Sequence, residues 1–353
     1  MDVKLIEKEV ARLTPVPRET RVAMREGPRD GETHSRHMMA LSALHEIEVG
    51  GQASRRDAGE SLRVVAWNVE RLRYSDAIGE TLRGLAPDVV LLSEVDKGMA
   101  RSGNGHPLAA LADRLGHAYA YGVEFVELDA GSDEERAAAM GTPDEEGFHG
   151  NALTSAVPLT RPFMIRLDLS GRWFAPEPGQ PRIGGRMAIG GQVRLGGTAV
   201  TLVSVHLDNR CEPQERAEQT RILLEAIDHY DATAPVLIGG DFNTLTAGDA
   251  WKAANRAAWE AELRATPDRL MRVEPYEPLF KVLAERGYEW KAANTLDQPT
   301  QRRPAADAHL PIGRIDWFFT RGLQARDPAV IPAVLPDGNP SSDHEALLVT
   351  VSL

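Results

Sequence analysis

Hydrophobic runs and amphipathic stretches alternate along most of this chain. From Leu62 onward, runs rich in Val, Ile and Leu predict strands at 62–69, 88–94, 150–155, 186–195, 198–207, 235–241, 314–320 and 346–353. Several are continuous, the pattern of strands buried on both faces. Others alternate. In "TAVTLVSVHL", Val200, Leu202, Ser204 and His206 share one face, and Thr201, Val203, Val205 and Leu207 share the other. Between the strands, "PQERAEQTRILLEAIDHY" opens on Pro213, a favoured first-turn residue, and places Ala217, Leu223, Leu224 and Ile227 on one stripe. "HPLAALADRLG" predicts a second helix, closed by Gly116. Strands interleaved with helices make a mixed α/β domain. No solenoid-like repeat is visible.

Residues 1–60 read differently. "VKLIEKEVARL" predicts one helix, with Leu5, Val10 and Leu13 on a stripe, and polar, turn-rich segments follow it. The expected organisation is an N-terminal arm over 1–60, partly helical and serving as a tail or lid, and a main domain over 61–353. The acidic segment 127–148 reads as an exposed insertion. Residues 171–182, "GRWFAPEPGQPR", read as a Pro/Gly loop carrying the aromatic pair Trp173–Phe174.

Composition narrows the class. The chain has 353 residues, 42% of them hydrophobic and 26% charged, as expected for a globular protein with a large core. The single cysteine, Cys211, excludes an internal disulfide and a cysteine-based metal site, and suits a reducing cytoplasm. No secretory signal is seen at the N-terminus, and no apolar run is long enough to span a bilayer. The net charge of −12 argues mildly against a protein that coats nucleic acid non-specifically.

The predicted strands end on polar residues: Asn68, Glu94, Asn151, His206, Asp241, Asn243, Asp316, Asp343 and His344. Each alone has an ordinary reading, as a helix cap, a solvated acid or a hydrogen-bonded core histidine. Together they are harder to dismiss, because chemistry gathers where strands emit loops. Several carboxylates at one sheet edge repel unless a cation sits among them, and carboxylate and amide oxygens suit Mg²⁺ or Mn²⁺. No HExxH helix, GxSxG elbow or GxxxxGK[ST] loop is present, so zinc peptidase, serine hydrolase and P-loop chemistry are not indicated. In "PVLIGGDFNT" the glycines allow close packing or a sharp exit, and Asp241 and Asn243, two apart, share one side of an extended chain.

"AWNVER", "LLSEVD", "GNALTS", "VSVHLDN", "GGDFNT", "RIDWFF" and "SSDHEAL" resemble the motifs of the endonuclease/exonuclease/phosphatase (DNase I-like) family, in the same order from Leu62 to Leu353. The resemblance implies a four-layer α/β/β/α sandwich with two mixed sheets and a metal-dependent phosphoesterase site at one edge. On the matching positions it implies Glu94 as metal ligand with Asn68 beside it, and Asp343 supporting the metal or orienting its neighbour. Asp241 would position or deprotonate the attacking water, and Asn243 would hold the phosphoryl group or the metal. His206 would contact the phosphate or the leaving group. His344 would bind a phosphate oxygen, with Asp316 fixing its tautomer and favouring its protonated form. Asn151 is a candidate substrate contact. Arg186 and Arg210, from the arginines that crowd the motif loops, are candidates to line the phosphate site.

The leading expectation is a Mg²⁺- or Mn²⁺-dependent phosphodiesterase acting by in-line attack of water. Nucleic acid, phospholipid and small-molecule phosphate esters all stay open as substrates. The alternative is a catalytically silent relative that binds phosphate ligands. A Ca²⁺-stabilised structural protein would leave His206 and His344 unexplained, because histidine is a poor calcium ligand.

Overall fold

The computed structural model describes residues 5–174, 180–245, 256–303 and 312–353. Two mixed sheets pack face to face with helices on both outer sides. Among the described residues, the larger sheet has the spatial order β1 (Glu9–Val10), β2 (Ile47–Gly51), β5 (Ala118–Glu127), β6 (Phe148–Ser155), β4 (Val89–Lys97), β3 (Leu62–Arg71), β14 (Ala346–Ser352) and β13 (Gln324–Ile331), with the short β8 (Arg182–Gly184) beside β5. The smaller sheet runs β12 (Asp316–Arg321), β11 (Val236–Asp241), β10 (Thr198–His206), β9 (Met187–Leu195) and β7 (Thr160–Arg166). All eight predicted strands are present within a few residues of their expected bounds.

Strand periodicity explains the layering. On β3 and β4, Val64, Ala66, Val89 and Leu91 enter the layer between the sheets, where Leu202, Leu237 and Phe318 meet them. Val65, Trp67, Val90 and Leu92 point the other way, onto α3 (Ser75–Leu85) and α4 (Pro107–Leu115) through Ile78, Leu82, Leu108 and Leu111. Val203 and Val205 of β10 face α6 (Pro213–Asp231) and α8 (Leu279–Glu285), through Leu223, Leu224, Ile227 and Leu283. Helix, sheet, sheet, helix is therefore the order of layers.

The first sixty residues contain α1 (Arg18–Glu26), α2 (Gly31–Ala40) and two strands of the larger sheet. The helix expected over "VKLIEKEVARL" does not form over residues 5–13. Instead Ile6 bridges Met164, and Glu9–Val10 pairs in parallel with Ile47–Glu48. Pairing with a sheet edge satisfies the backbone there and overrides the local helical stripe. Strand β2 is anchored from its own side chains as well. Glu48 is buried, with Lys97 2.6 Å away and the Leu13 N–H donating to it at 2.9 Å.

The exposed insertion expected over 127–148 is exposed only in part: Glu127 is buried, and Asp129, Glu135, Asp144 and Glu146 are half-buried. Glu127 and Glu135 each lie 3.1 Å from the buried Arg101. In the loop 171–182, Trp173 and Phe174 are buried rather than presented to solvent, and 175–179 lie outside the described residues. No helix among the described residues is long and apolar enough to cross a membrane.

Candidate active site

The site is built on strand register. In the smaller sheet His206 is the direct partner of Asp241 in a parallel pair, and Asp241 is the direct partner of Asp316 in an antiparallel pair. Met187 completes the row opposite His206. Directly opposed residues lie on one face with Cβ atoms about 4.5–5.5 Å apart. That face is the inner one, because Leu202, Leu237 and Phe318, two or four positions along the same strands, fill the layer between the sheets. The row lies where that apolar layer ends.

Gly239 and Gly240 make the ending possible. A Cβ on Gly239 would lie 2.6 Å from the Phe318 ring and 2.9 Å from Leu91. Gly240 has φ +144°, and a Cβ there would lie 2.2 Å from the Val205 carbonyl oxygen. Asn243 then takes a left-handed φ of +49°. This turns its backbone N–H onto Asp241 Oδ1 at 2.8 Å, while its side-chain amide donates to the Leu207 carbonyl at 2.9 Å.

The larger sheet supplies the facing wall. Asn68 follows Val64 and Ala66 on the inner face of β3, and its Nδ2 donates to Asp241 Oδ2 at 3.1 Å. Strict alternation would send Glu94 to the helix side after Val90 and Leu92. A bulge between Leu92 and Val95, with φ +57° at Glu94, re-aims it towards the histidines. Burial alone would raise the Glu94 pKa, but Arg71, paired with its carboxylate, and then the neighbouring imidazoles of His206, His149 and His344 hold it well below the usual carboxylate range. Arg71 also donates to Glu135 at 2.9 Å.

His344, just before β14, has its Nδ1 2.9 and 3.1 Å from the two oxygens of Asp316 and its Nε2 3.7 Å from Asp241 Oδ2. Burial opposes its charge, yet Asp316, Asp241 and Asp343 raise its pKa well above the ordinary value, so it stands as a cation. Asp241 is shifted upward, first by burial and then by Asp316, against the pull of His344 and His206. Among the described residues, Asp241, Asp316 and His344 offer ligand-type atoms within 4.8 Å of one another.

The sequence model of the endonuclease/exonuclease/phosphatase family matches residues 65–344, a span that begins beside this wall and ends on His344. The chain belongs to that family. Its members are in general hydrolases of phosphate esters that use a divalent metal. Comparison with curated proteins found no match. Solved structures with the same DNase I-like fold include an endonuclease/exonuclease/phosphatase from Beutenbergia cavernae DSM 12333, with 21% identity and TM-score 0.54, covering 83% of this chain and 72% of that one. The human Nocturnin catalytic domain with bound sulfate anion has 17% identity and TM-score 0.52, covering 87% and 96%. D. rerio TDP2 complexed with single strand DNA product has 18% identity and TM-score 0.51, covering 83% and 99%. At these identities the likeness shows the fold.

Around this candidate site of the endonuclease/exonuclease/phosphatase chain the other sequence candidates fall as follows. Asp343 borders the cluster with an exposed side chain 4.0 Å from His344 Nε2, and its N–H donates to Glu70 at 3.1 Å. Asn151 is buried on β6 and donates to the Met187 carbonyl at 3.0 Å, while its Oδ1 has no hydrogen-bond partner among the described residues. Arg186 sits against the row, with its Nη1 2.9 Å from both ring nitrogens of His206. Arg210 is farther out, over the Trp173 ring with its guanidinium carbon 3.9 Å from the ring centroid.

Sequence reading missed a buried acid that organises this side. Glu124 on β5 lies 3.1 Å from Arg186 Nη1 and 3.3 Å from His206 Nδ1. Burial would raise its pKa, but His206, Arg186 and His149 lower it to about 2, so it is ionised. Behind it His149 lies 2.8 Å from Asp96, which Arg101 grips with two bonds of 2.8 and 2.9 Å. The signal was there: Tyr119, Tyr121, Val123 and Glu124 belong to an alternating stretch, "AYAYGVEFVE", that was not read as a strand.

Proposed function

We propose that the protein is a divalent-metal-dependent phosphodiesterase that hydrolyses its substrate by in-line attack of water. The observation that carries this reading is the registered row His206–Asp241–Asp316, with His344 on Asp316 and Asn68 on Asp241. A buried base, a buried imidazolium and a facing amide converge on one space at the end of the intersheet layer.

Asp241 is the base. Its raised pKa makes it a stronger proton acceptor than an exposed carboxylate, and the Asn243 N–H holds one oxygen while Asn68 holds the other. His344 is the cation for a non-bridging phosphate oxygen, with its Nδ1 tied to Asp316 so that Nε2 faces the site. His206, held by Glu124 and Arg186, lies on the far side of Asp241 from His344, where the leaving oxygen would depart. Phosphoryl transfer needs this placement of charge more than covalent help.

Glu94, Asn68 and Asp343 are the residues we assign to the metal. Their oxygens suit Mg²⁺ or Mn²⁺. The acids also crowd beyond what their arginines neutralise: burial first, then Asp343 and Glu94, push the Glu70 carboxyl up to about 7 despite Arg73 and Arg71. A dication bound there relieves that repulsion and supplies charge to the phosphoryl oxygens. The trio Asp241, Asp316 and His344 fits a metal less well, because a protonated imidazole bonded to a carboxylate has no lone pair to give.

Hydrolysis of a panel of bis-p-nitrophenyl phosphate, single-stranded DNA, RNA and sphingomyelin tests the reading. Turnover is expected with Mg²⁺ or Mn²⁺ and its loss with EDTA and in D241A. Turnover that survives both treatments, or none on any ester, sinks it.

A further inference from the structure

Beside the row lies a cleft of about 400 Å³ whose lining, among the described residues, includes Arg71, Arg136, Arg182, Arg186, Arg210 and Trp173. Among the described residues two acids, Glu94 and Glu135, share those walls, and both pair with Arg71. In a chain of net charge −12 this is a local reversal of sign. The acids that hold the other buried arginines sit behind them. Glu127 lies 3.0 Å from Arg182, and Glu124 lies 3.1 Å from Arg186, and neither acid lines the cleft.

The cations are fixed in place. The guanidinium carbons of Arg182, Arg186 and Arg210 lie 5.1, 5.0 and 3.9 Å from the centroid of Trp173. Cation–π packing of three guanidinium groups on one indole removes the rotamer freedom that weakens surface arginines as anion binders. Arg182 and Arg186 are 6% and 3% exposed, and the Nε of Arg186 is buried with no hydrogen-bond partner among the described residues. The charge balance differs from one arginine to the next: Glu124, Asp208 and Glu94 push the Arg186 pKa up despite its burial. Burial first, and then the nearby Arg71, Arg101 and Arg186, outweigh Glu127 and push the Arg182 pKa down to about 10.

We propose that this cleft is a subsite for a second phosphate of the substrate, so that the preferred substrate carries at least two phosphate groups, one cleaved at the row and one held among Arg182, Arg186 and Arg210. The inference rests on the phosphodiesterase reading for the first phosphate. Arg186 touches both regions, which places the two phosphates next to each other. An ester with a cationic tail, such as a choline phosphate, meets repulsion in the same place. The second phosphate has two chemical sources, the backbone of an oligonucleotide or the phosphate chain of a free nucleotide.

The test compares esters that differ by one phosphate, thymidine dinucleotide with and without a 5′-phosphate, alongside the β-p-nitrophenyl ester of ADP and bis-p-nitrophenyl phosphate. In parallel, binding of methylenediphosphonate is measured by calorimetry in EDTA, where no turnover occurs. The 5′-phosphate is expected to raise kcat/KM at least tenfold. R210Q, and separately R136Q should R210Q fold poorly, are expected to cut that preference several-fold and to weaken diphosphonate binding. A preference for the phosphorylated dinucleotide alone assigns the site to a nucleic-acid chain, and an equal preference for the ADP ester assigns it to a free nucleotide. Equal rates with and without the 5′-phosphate, or a preference unchanged in the arginine variants, overturn the inference while leaving the phosphodiesterase reading intact. Arginine-dependent diphosphonate binding without turnover of any ester overturns that reading and leaves the anion subsite standing.

Discussion

Both oxygens of Asp241 accept hydrogen bonds and an imidazolium lies nearby, so D241N removes the base at nearly constant volume but sets its amide nitrogen against one donor. D241N is expected to lower kcat by about 10²–10⁴-fold, the range for a lost general base, with KM within a few-fold of wild type. D316N addresses the charge on His344. Because Asp316 is the largest of the groups raising that pKa, its neutralisation lowers it, and protonated His344 is then lost at a lower pH. The alkaline limb of the kcat–pH profile is expected to shift to lower pH in D316N, and an unmoved limb would count against the assigned role. At this scale the sequence was most informative where residue types are chemically unusual for their position. Asp241, His344 and Asp316 end apolar runs or sit beside them, and the structure brings them together. Glu124 was not legible because its strand was not recognised, and the Arg71–Glu94 pair was not because it depends on a bulge.

At the scale of elements, the decisive feature is how β11 ends. G240A is expected to destabilise the protein by at least about 3 kcal/mol, since it adds a methyl group against a carbonyl oxygen at a φ that only glycine adopts easily. Urea unfolding of the variant measures this, and a loss below about 1 kcal/mol would show that β11 can relax. Among the strands that were not anticipated, the two edge strands β13 and β7 share a physical reason. Strand β13, "QARDPAVI", contains a proline and little burial, as an edge strand does, and β7 contains Pro162. Strand β2 is short and ends in two glycines. Edge strands draw their stability from neighbours, so their own residues announce them weakly. Register is likewise invisible locally. Nothing in "GGDFNT" or "RIDWFF" specifies that Asp241 and Asp316 are direct partners.

For the whole molecule, buried histidines tie stability to acidity. His117 sits 3% exposed after α4, with Nδ1 2.9 Å from Thr154 Oγ1, and burial lowers its pKa from 6.5 to about 4 despite Asp88 and the Pro87 carbonyl. The folded state holds it neutral, while the unfolded chain takes up a proton below about 6.5. Its contribution is therefore fully present above that pH and lost as pH falls towards 4, by up to about 3 kcal/mol. Unfolding free energies of wild type and H117N between pH 4 and 7 should converge at the acidic end, and parallel curves would refute the assignment. The register of the larger sheet has a different consequence, for synthesis. Asn68 and His344 are 276 residues apart in the chain yet 3.4 Å apart in space, and β3 borders β4 on one side and β14 on the other. A growing chain can dock β3 on β4 early, but the far edge of β3 stays open until the β14 segment emerges from the ribosome. Until then the nascent protein has an unprotected strand edge and no complete active site. On the proposed reading, hydrolytic activity would arise at the same late step that closes the sheet, and a chain cut short of residue 344 is expected to be both silent and prone to aggregate.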